Sequence, residues 1–175
     1  GNPPYAPMST DIVIDTTDYL FLRNVKASGS NLFVAALYRA FELTKTKGII
    51  SYIIPKNLLH VASYGLLRRT ILNEKKIISI VDIGRYFKNV RGEQIILTLQ
   101  NSFEKDNNIE FYKYENNEFV KKLEVPQKFY SDEILILICD LNRETPHWKK
   151  SVINETHRNI FVDLKKLPNV SICGK

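Results

Sequence analysis

The residues whose types and spacing point most directly to chemistry stand at the start of the 175-residue chain: Asn2-Pro3-Pro4-Tyr5. Asn2 and Pro3 each precede a proline, which pushes both to extended backbone. The prolines fix φ and remove their own N–H groups. The outcome is a short rigid turn that offers two acceptors without competing donors, the Asn2 side-chain oxygen and the Pro3 carbonyl. Tyr5 sets a flat aromatic face beside them. This is the equipment needed to act on an exocyclic amine such as N6 of adenine, whose lone pair is delocalised into the ring. Two acceptors on its N–H bonds favour a tetrahedral nitrogen and stabilise positive charge as a methyl group arrives. No titrating base is required, which suits a neutral Asn. The aromatic then holds a base drawn out of the duplex, because the amine is out of reach inside the stack.

Such a turn needs elements to hold it. Residues 6–29 show no sustained period and read as a long loop. Asn31 is a plausible N-cap for a helix through Lys45, with Leu32, Ala35, Ala36, Ala40 and Leu43 on its buried face and Gly48 ending it. Ile49 to Ile54 is a short β-branched run stopped by Pro55, hence a buried strand. Ser63 to Asn73 reads as a second helix, Ile77 to Val81 as another strand and Glu93 to Gln100 as a third. This alternation predicts part of an α/β sheet. Segments 109–114 and 118–123 flank Asn116-Asn117 and read as a hairpin. An apolar run at Ile134 to Ile138 and a helix around 149–158 complete the reading.

From residue 1 to about 104 the chain resembles the DNA adenine-N6 methyltransferases of type II and type I restriction–modification systems. The resemblance is ordered: Asn2-Pro3-Pro4-Tyr5, a long loop, then Ser30-Asn31-Leu32-Phe33 opening a helix. Lys47 to Pro55 follows as a strand ending in proline, then Asp82-Ile83-Gly84-Arg85-Tyr86-Phe87 and the strand from Glu93. The resemblance implies a partial Rossmann-like methyltransferase sheet, the C-terminal half of the fold, with the 93–100 strand antiparallel to its neighbours. The short Asp82-to-Glu93 connection supports that placement, since a parallel return needs a dozen or more residues. It implies that Asn2, Pro3, Pro4 and Tyr5 are catalytic, and that Phe87 packs on the flipped adenine opposite Tyr5, with Tyr86 as the alternative. S-adenosylmethionine is the implied cofactor, with Pro4 and Phe33 touching it; Phe33 reads equally as helix packing. The implied partner is double-stranded DNA. Arg85, Lys88 and Arg91 around Phe87, and Lys56 after the preceding strand, are placed to hold phosphates.

The family carries a glycine-rich cofactor loop ahead of the catalytic motif, and nothing downstream here substitutes for it. The expected organisation is therefore the C-terminal half of a catalytic domain over 1–104. Residues 105–175 form a β-rich extension leading, at Val170 to Lys175, toward a target-recognition region. Such a fragment is expected to be inactive alone, and its 49–54 strand to be an open sheet edge prone to self-association. An alternative is a non-catalytic DNA-binding or protein-interaction module. A nuclease fragment built on Asp82 and Glu93 is disfavoured, because Gln94-Ile95 replaces the x-Lys that should follow Glu93.

Composition bounds the rest. Hydrophobic residues make up 44% and charged residues 25% of the chain, which excludes wholesale disorder. No apolar run is long enough to span a bilayer, and two cysteines, Cys139 and Cys173, make no disulfide framework. His60, His147 and His157 lack metal-ligand spacing, so a cytoplasmic protein without bound metal is the expectation. The net charge of +6 concentrates in residues 1–104, with 13 basic and 8 acidic side chains against 12 and 11 in 105–175. A polyanion suits that surface.

Overall fold

The computed structural model describes residues 1–8, 21–87 and 90–130. Its elements are α1 (Phe21–Ala27), α2 (Leu32–Leu43), β1 (Ile49–Pro55), α3 (Gly65–Glu74), β2 (Lys76–Gly84), β3 (Gln94–Gln100), β4 (Asn108–Glu115) and β5 (Glu118–Pro126). Short 3₁₀ turns at Lys56–Leu59 and Ala62–Tyr64 lead from β1 into α3, and a third at Gln127–Phe129 follows β5.

The strands make one sheet in the order β1-β3-β2-β4-β5. β3 lies between β1 and β2 and runs antiparallel to both, with Leu99 opposite Ile50 and Leu97 opposite Ile80. The expected antiparallel placement is thus what forms. β4 runs parallel to β2, and β5 returns antiparallel beside it. The hairpin turn is Asn116-Asn117, with φ of 53° and 64°, the two left-handed residues that match the twist of the strands. This is the mixed α/β class and the partial Rossmann-like sheet expected. The hairpin is continuous with that sheet through the β2–β4 pairing, and no break in it falls near residue 104.

Period-two burial in β3 shows which face is covered. Ile95, Leu97 and Leu99 are buried, while Ile96, Thr98 and Gln100 are only partly so. The buried set joins Phe33, Val34 and Leu37 of α2, Leu67 and Ile71 of α3, and Ile77 and Ile80 of β2 in one cluster. Arg68 of α3 is buried too, and its guanidinium donates to the carbonyls of Leu58 and Val61, both at 2.7 Å. That pair of bonds fastens α3 to the chain leaving β1.

Several boundaries differ from expectation for local reasons. Residues 6–29 are not all loop: seven of them form α1, which buries Leu22 and Val25. α2 begins as read, with Asn31 Oδ1 accepting from Phe33 N–H at 3.2 Å, but stops at Leu43. Gly48 is needed by crowding, since a Cβ there would lie 2.5 Å from Thr44 Cγ2 and 2.9 Å from the Lys45 carbonyl. α3 starts at Gly65 because Ala62–Tyr64 is wound as 3₁₀ helix. The edge of β1 is partly occupied: Gly1 donates to the Ser51 carbonyl at 2.6 Å and accepts from Ile53 N–H at 2.9 Å. Among the described residues no helix is long and apolar enough to cross a membrane. The readings at 134–138, 149–158 and 170–175, and Cys139, Cys173, His147 and His157, lie outside the described residues.

Candidate active site at the C-terminal edge of the sheet

The Asn-Pro-Pro-Tyr turn is strung between β1 and α2. Its near end is Gly1, whose two hydrogen bonds flank Tyr52 in the pattern of a parallel bridge, so the turn leaves in the direction in which β1 runs. Its far end is tied to the start of α2: Leu32 N–H donates to Ala6 at 2.9 Å, and Met8 N–H to Ser30 at 2.8 Å. Between these anchors Asn2 and Pro4 are exposed and Pro3 and Tyr5 half-buried.

Tyr5 is the pivot. Its hydroxyl stands 2.8 Å from the Ile53 carbonyl and 3.0 Å from Asn2 Oδ1. One proton serves one acceptor at a time, so the group links the turn to β1 and holds the Asn2 carboxamide. A carbonyl oxygen has two lone pairs, which leaves Asn2 Oδ1 an acceptor for an incoming N–H. Burial pushes the Tyr5 phenol up from its usual value, so it stays a neutral donor. Beneath it, Phe33 meets the Tyr5 ring edge-on at 6.4 Å and Tyr64 at 5.2 Å. Phe33 is wholly buried. Its ring supports Tyr5, in keeping with the helix packing that its place also allowed, while Pro4 is exposed.

The second aromatic group sits on the loop between β2 and β3. Gly84 turns the chain with φ of +59°, and its N–H caps Asp82 Oδ1 at 2.9 Å. Lys56 then closes the loop at both ends. Its ammonium lies 2.8 Å from Asp82 Oδ2 and 2.8 Å from Glu93 Oε2, and its backbone N–H donates to the Glu93 carbonyl. With 14% of its side chain exposed, Lys56 locks the two ends of the loop together. Asp82 and Glu93 do come together, as a nuclease would need, but around an ammonium that neutralises them.

Phe87 is half-buried and Tyr86 is 57% exposed, their rings 5.3 Å apart and perpendicular. Tyr86 also meets Tyr114 of β4 at 5.7 Å. Arg85 and Arg91 are exposed on the same loop, and Lys88 lies outside the described residues. Motif, lock and aromatic loop all stand where β1 and β2 end, the edge at which open α/β sheets bind ligands.

Residues 1–88 match the family described as Eco57I restriction-modification methylase. The chain belongs to that family. This bears out the restriction–modification methylase resemblance read from the sequence. Among solved structures, the Eco57I-family chain is similar to the ATP-dependent type ISP restriction-modification enzyme LlaBIII bound to DNA, at 14% identity and TM-score 0.51 over 67% of this chain. It is similar to the DrdV–DNA complex at 14% and 0.51 over 70%, and to a nuclease-deletion mutant of LlaGI with a DNA substrate mimic at 14% and 0.50 over 65%. At such identity these likenesses establish the fold. The chain spans 10%, 17% and 12% of those three chains respectively. No curated protein matches it in sequence.

Two parts of this candidate site escape a reading of sequence. Lys56 lies 26 residues from Asp82 and 37 from Glu93, and only the β1–β3–β2 order brings the three together. Tyr5 was legible as an aromatic face, whereas its hydroxyl's grip on Ile53 depends on the motif entering beside β1.

Proposed function

We propose that the chain forms the adenine-facing side of the catalytic centre of a site-specific DNA adenine-N6 methyltransferase of a restriction–modification system. The observation that carries this is the Asn2 acceptor held by Tyr5 at the end of β1 within a restriction-modification methylase sequence. In this reading Asn2 Oδ1 and the Pro3 carbonyl accept the two N6–H bonds of an adenine turned out of duplex DNA. Tyr5 and Phe87 flank the base, and Arg85, Lys88 and Arg91 face the phosphates. Positive charge would grow on N6 as the new N–C bond forms and the methyl carbon's bond to its donor breaks, both acceptors would strengthen their hold on it, and the surplus proton would pass to solvent.

S-adenosylmethionine is the proposed methyl donor. The described residues do not by themselves fit it: Phe33 has no free surface and no glycine-rich turn stands near Pro4. The 175 residues in isolation are accordingly proposed to be inactive, with residues 105–175 leading toward target recognition. The stretch of β1 edge left open by Gly1 is proposed to associate with a second chain, which sedimentation velocity at rising concentration reads.

The test is labelled methyl transfer by the enzyme that carries this chain, with DNA, RNA and protein as competing acceptors. Asn2→Ala is expected to reduce adenine methylation by roughly 100- to 1,000-fold while DNA affinity stays near normal. Phe87→Ala is expected to weaken capture of the flipped base and lower turnover more modestly. Full activity in Asn2→Ala refutes the catalytic assignment. DNA binding with no methylation in any context supports a non-catalytic module instead.

A further inference from the structure

Beyond Phe87 the aromatic side chains do not stop. Phe87, Tyr86, Tyr114 and Phe119 follow one another with ring centroids 5.3, 5.7 and 5.2 Å apart, from the β2–β3 loop to the tip of the β4–β5 hairpin. Packing explains only part of this row. Tyr114 and Phe119 are directly opposed across the hairpin, an ordinary stabilising pair. Yet Phe119 is 58% and Tyr86 57% exposed, and Tyr86 belongs to no strand. Large rings left in water side by side mark a surface that something covers.

Charge says what kind of partner. Arg85, next to Tyr86 in the chain, and Arg91, farther along the same loop, are exposed. At the hairpin Glu115 is shared by Lys113, at 3.4 Å, and Lys122, and the exposed Glu118 offsets the remaining lysine, so the surplus cations are those of the β2–β3 loop. Exposed rings that run out from a loop bearing two arginines suit a nucleic-acid strand, whose bases stack and whose phosphates need neutralising. A protein segment of ordinary apolar character would gain nothing from the cations.

We infer that this row is a stacking strip for nucleotides flanking the target base, on the hairpin side of the catalytic turn. The inference rests on the methyltransferase reading, and it separates Tyr86 from Phe87: Phe87 meets the target base, Tyr86 and Phe119 its neighbours. Turning one base out of a duplex weakens the stacking of the next, and the strip takes up the face so exposed.

The experiment uses the 175-residue chain and a fluorescein-labelled duplex in which one adenine faces an abasic site, so that it turns out easily. Affinity is read by anisotropy at fixed salt for the native chain, Phe119→Thr and Tyr86→Ser. Thr places a β-branched residue that suits a strand, and Tyr86 lies outside any strand, so the two variants do not share a folding risk. Each is expected to bind about tenfold more weakly, within the range for loss of a base–aromatic stack. A second set of duplexes removes one base at a time within four nucleotides of the adenine. At one of those positions the native chain is expected to lose affinity while the variants lose none. If both variants bind as the native chain does, the strip is refuted and the methyltransferase reading stands. If the native chain binds no duplex while the enzyme carrying it methylates adenine, the strip is likewise refuted. Failure of adenine methylation in that enzyme overturns the parent reading instead.

Discussion

Replacing Lys56 by Met keeps the length of the side chain and removes its charge, which isolates what the ammonium contributes. Glu93 is 47% exposed, so its half of the bridge resembles a surface pair worth about 0.5 kcal/mol. Asp82 is different. Its side chain is 15% exposed and Lys56 14%, close to the regime where losing one partner strands a charge at a cost of about 3–5 kcal/mol. The Gly84 N–H still serves the other Asp82 oxygen, and water reaches part of the carboxylate, so roughly half of that cost is expected. The total is about 2–3 kcal/mol, a sizeable share of the ~5–15 kcal/mol that holds a domain folded. A urea titration should show an earlier midpoint with an unchanged slope. Lys56→Met combined with Asp82→Asn should recover much of the loss, because the stranded charge is gone. The rival role makes the opposite forecast. A phosphate ligand would leave the urea midpoint alone and lower the salt dependence of DNA binding by about one unit of slope. That pair of results would refute the lock.

Other perturbations follow from the same contacts. Gly29→Ala should destabilise more than Gly84→Ala: both have positive φ, but a Cβ at Gly29 meets Tyr64 Cε1 at 2.9 Å while one at Gly84 meets nothing within 4 Å, so thermal melts should differ by a few degrees. Gln127→Leu should cost about 2–4 kcal/mol in urea titration, since the buried amide accepts from Ile77 N–H and Asn107 and donates to the Leu72 and Lys75 carbonyls. Tyr5→Phe keeps the ring and frees Asn2, so turnover in the complete enzyme should fall while DNA affinity holds, as steady-state kinetics with a binding titration will show. Lys121 holds Glu110 and Glu124 below the ordinary carboxylate value near 4.5. Depressed carboxylates stabilise above that value and cease to as pH falls through their own lowered ones, so amide exchange in β4 and β5 should quicken in that acid window, and less steeply in Lys121→Met.

What was readable in the sequence was what neighbours along the chain decide. Asn31 announces α2, the β-branched runs announce β1 to β3, and Asn116-Asn117 announces the hairpin because few residues besides Gly tolerate two left-handed positions in succession. α1 went unread because seven residues with two buried apolar side chains, Leu22 and Val25, carry too little period to see. Phe33 shows a different limit. Its place in the first turn of a helix beside the motif is compatible with touching a cofactor or filling the core, and its packing against both Tyr5 and Tyr64 is not written in that place. The hairpin was recognised, but its pairing with β2 leaves no local trace, because β3 intervenes in the chain and is inserted between β1 and β2 in the sheet.

That same insertion explains why the site has a direction. With β3 antiparallel between β1 and β2, the ends of β1 and β2 are separated by the start of β3, so the turn carrying Asn2 and the loop carrying Phe87 face each other across Glu93 and Gln94 rather than touching. Lys56 fills that interval and holds the loop to the end of β1. The parallel addition of β4 then carries Tyr114 to the same edge, and the aromatic row runs away from Asn2 because the sheet itself grows in that direction.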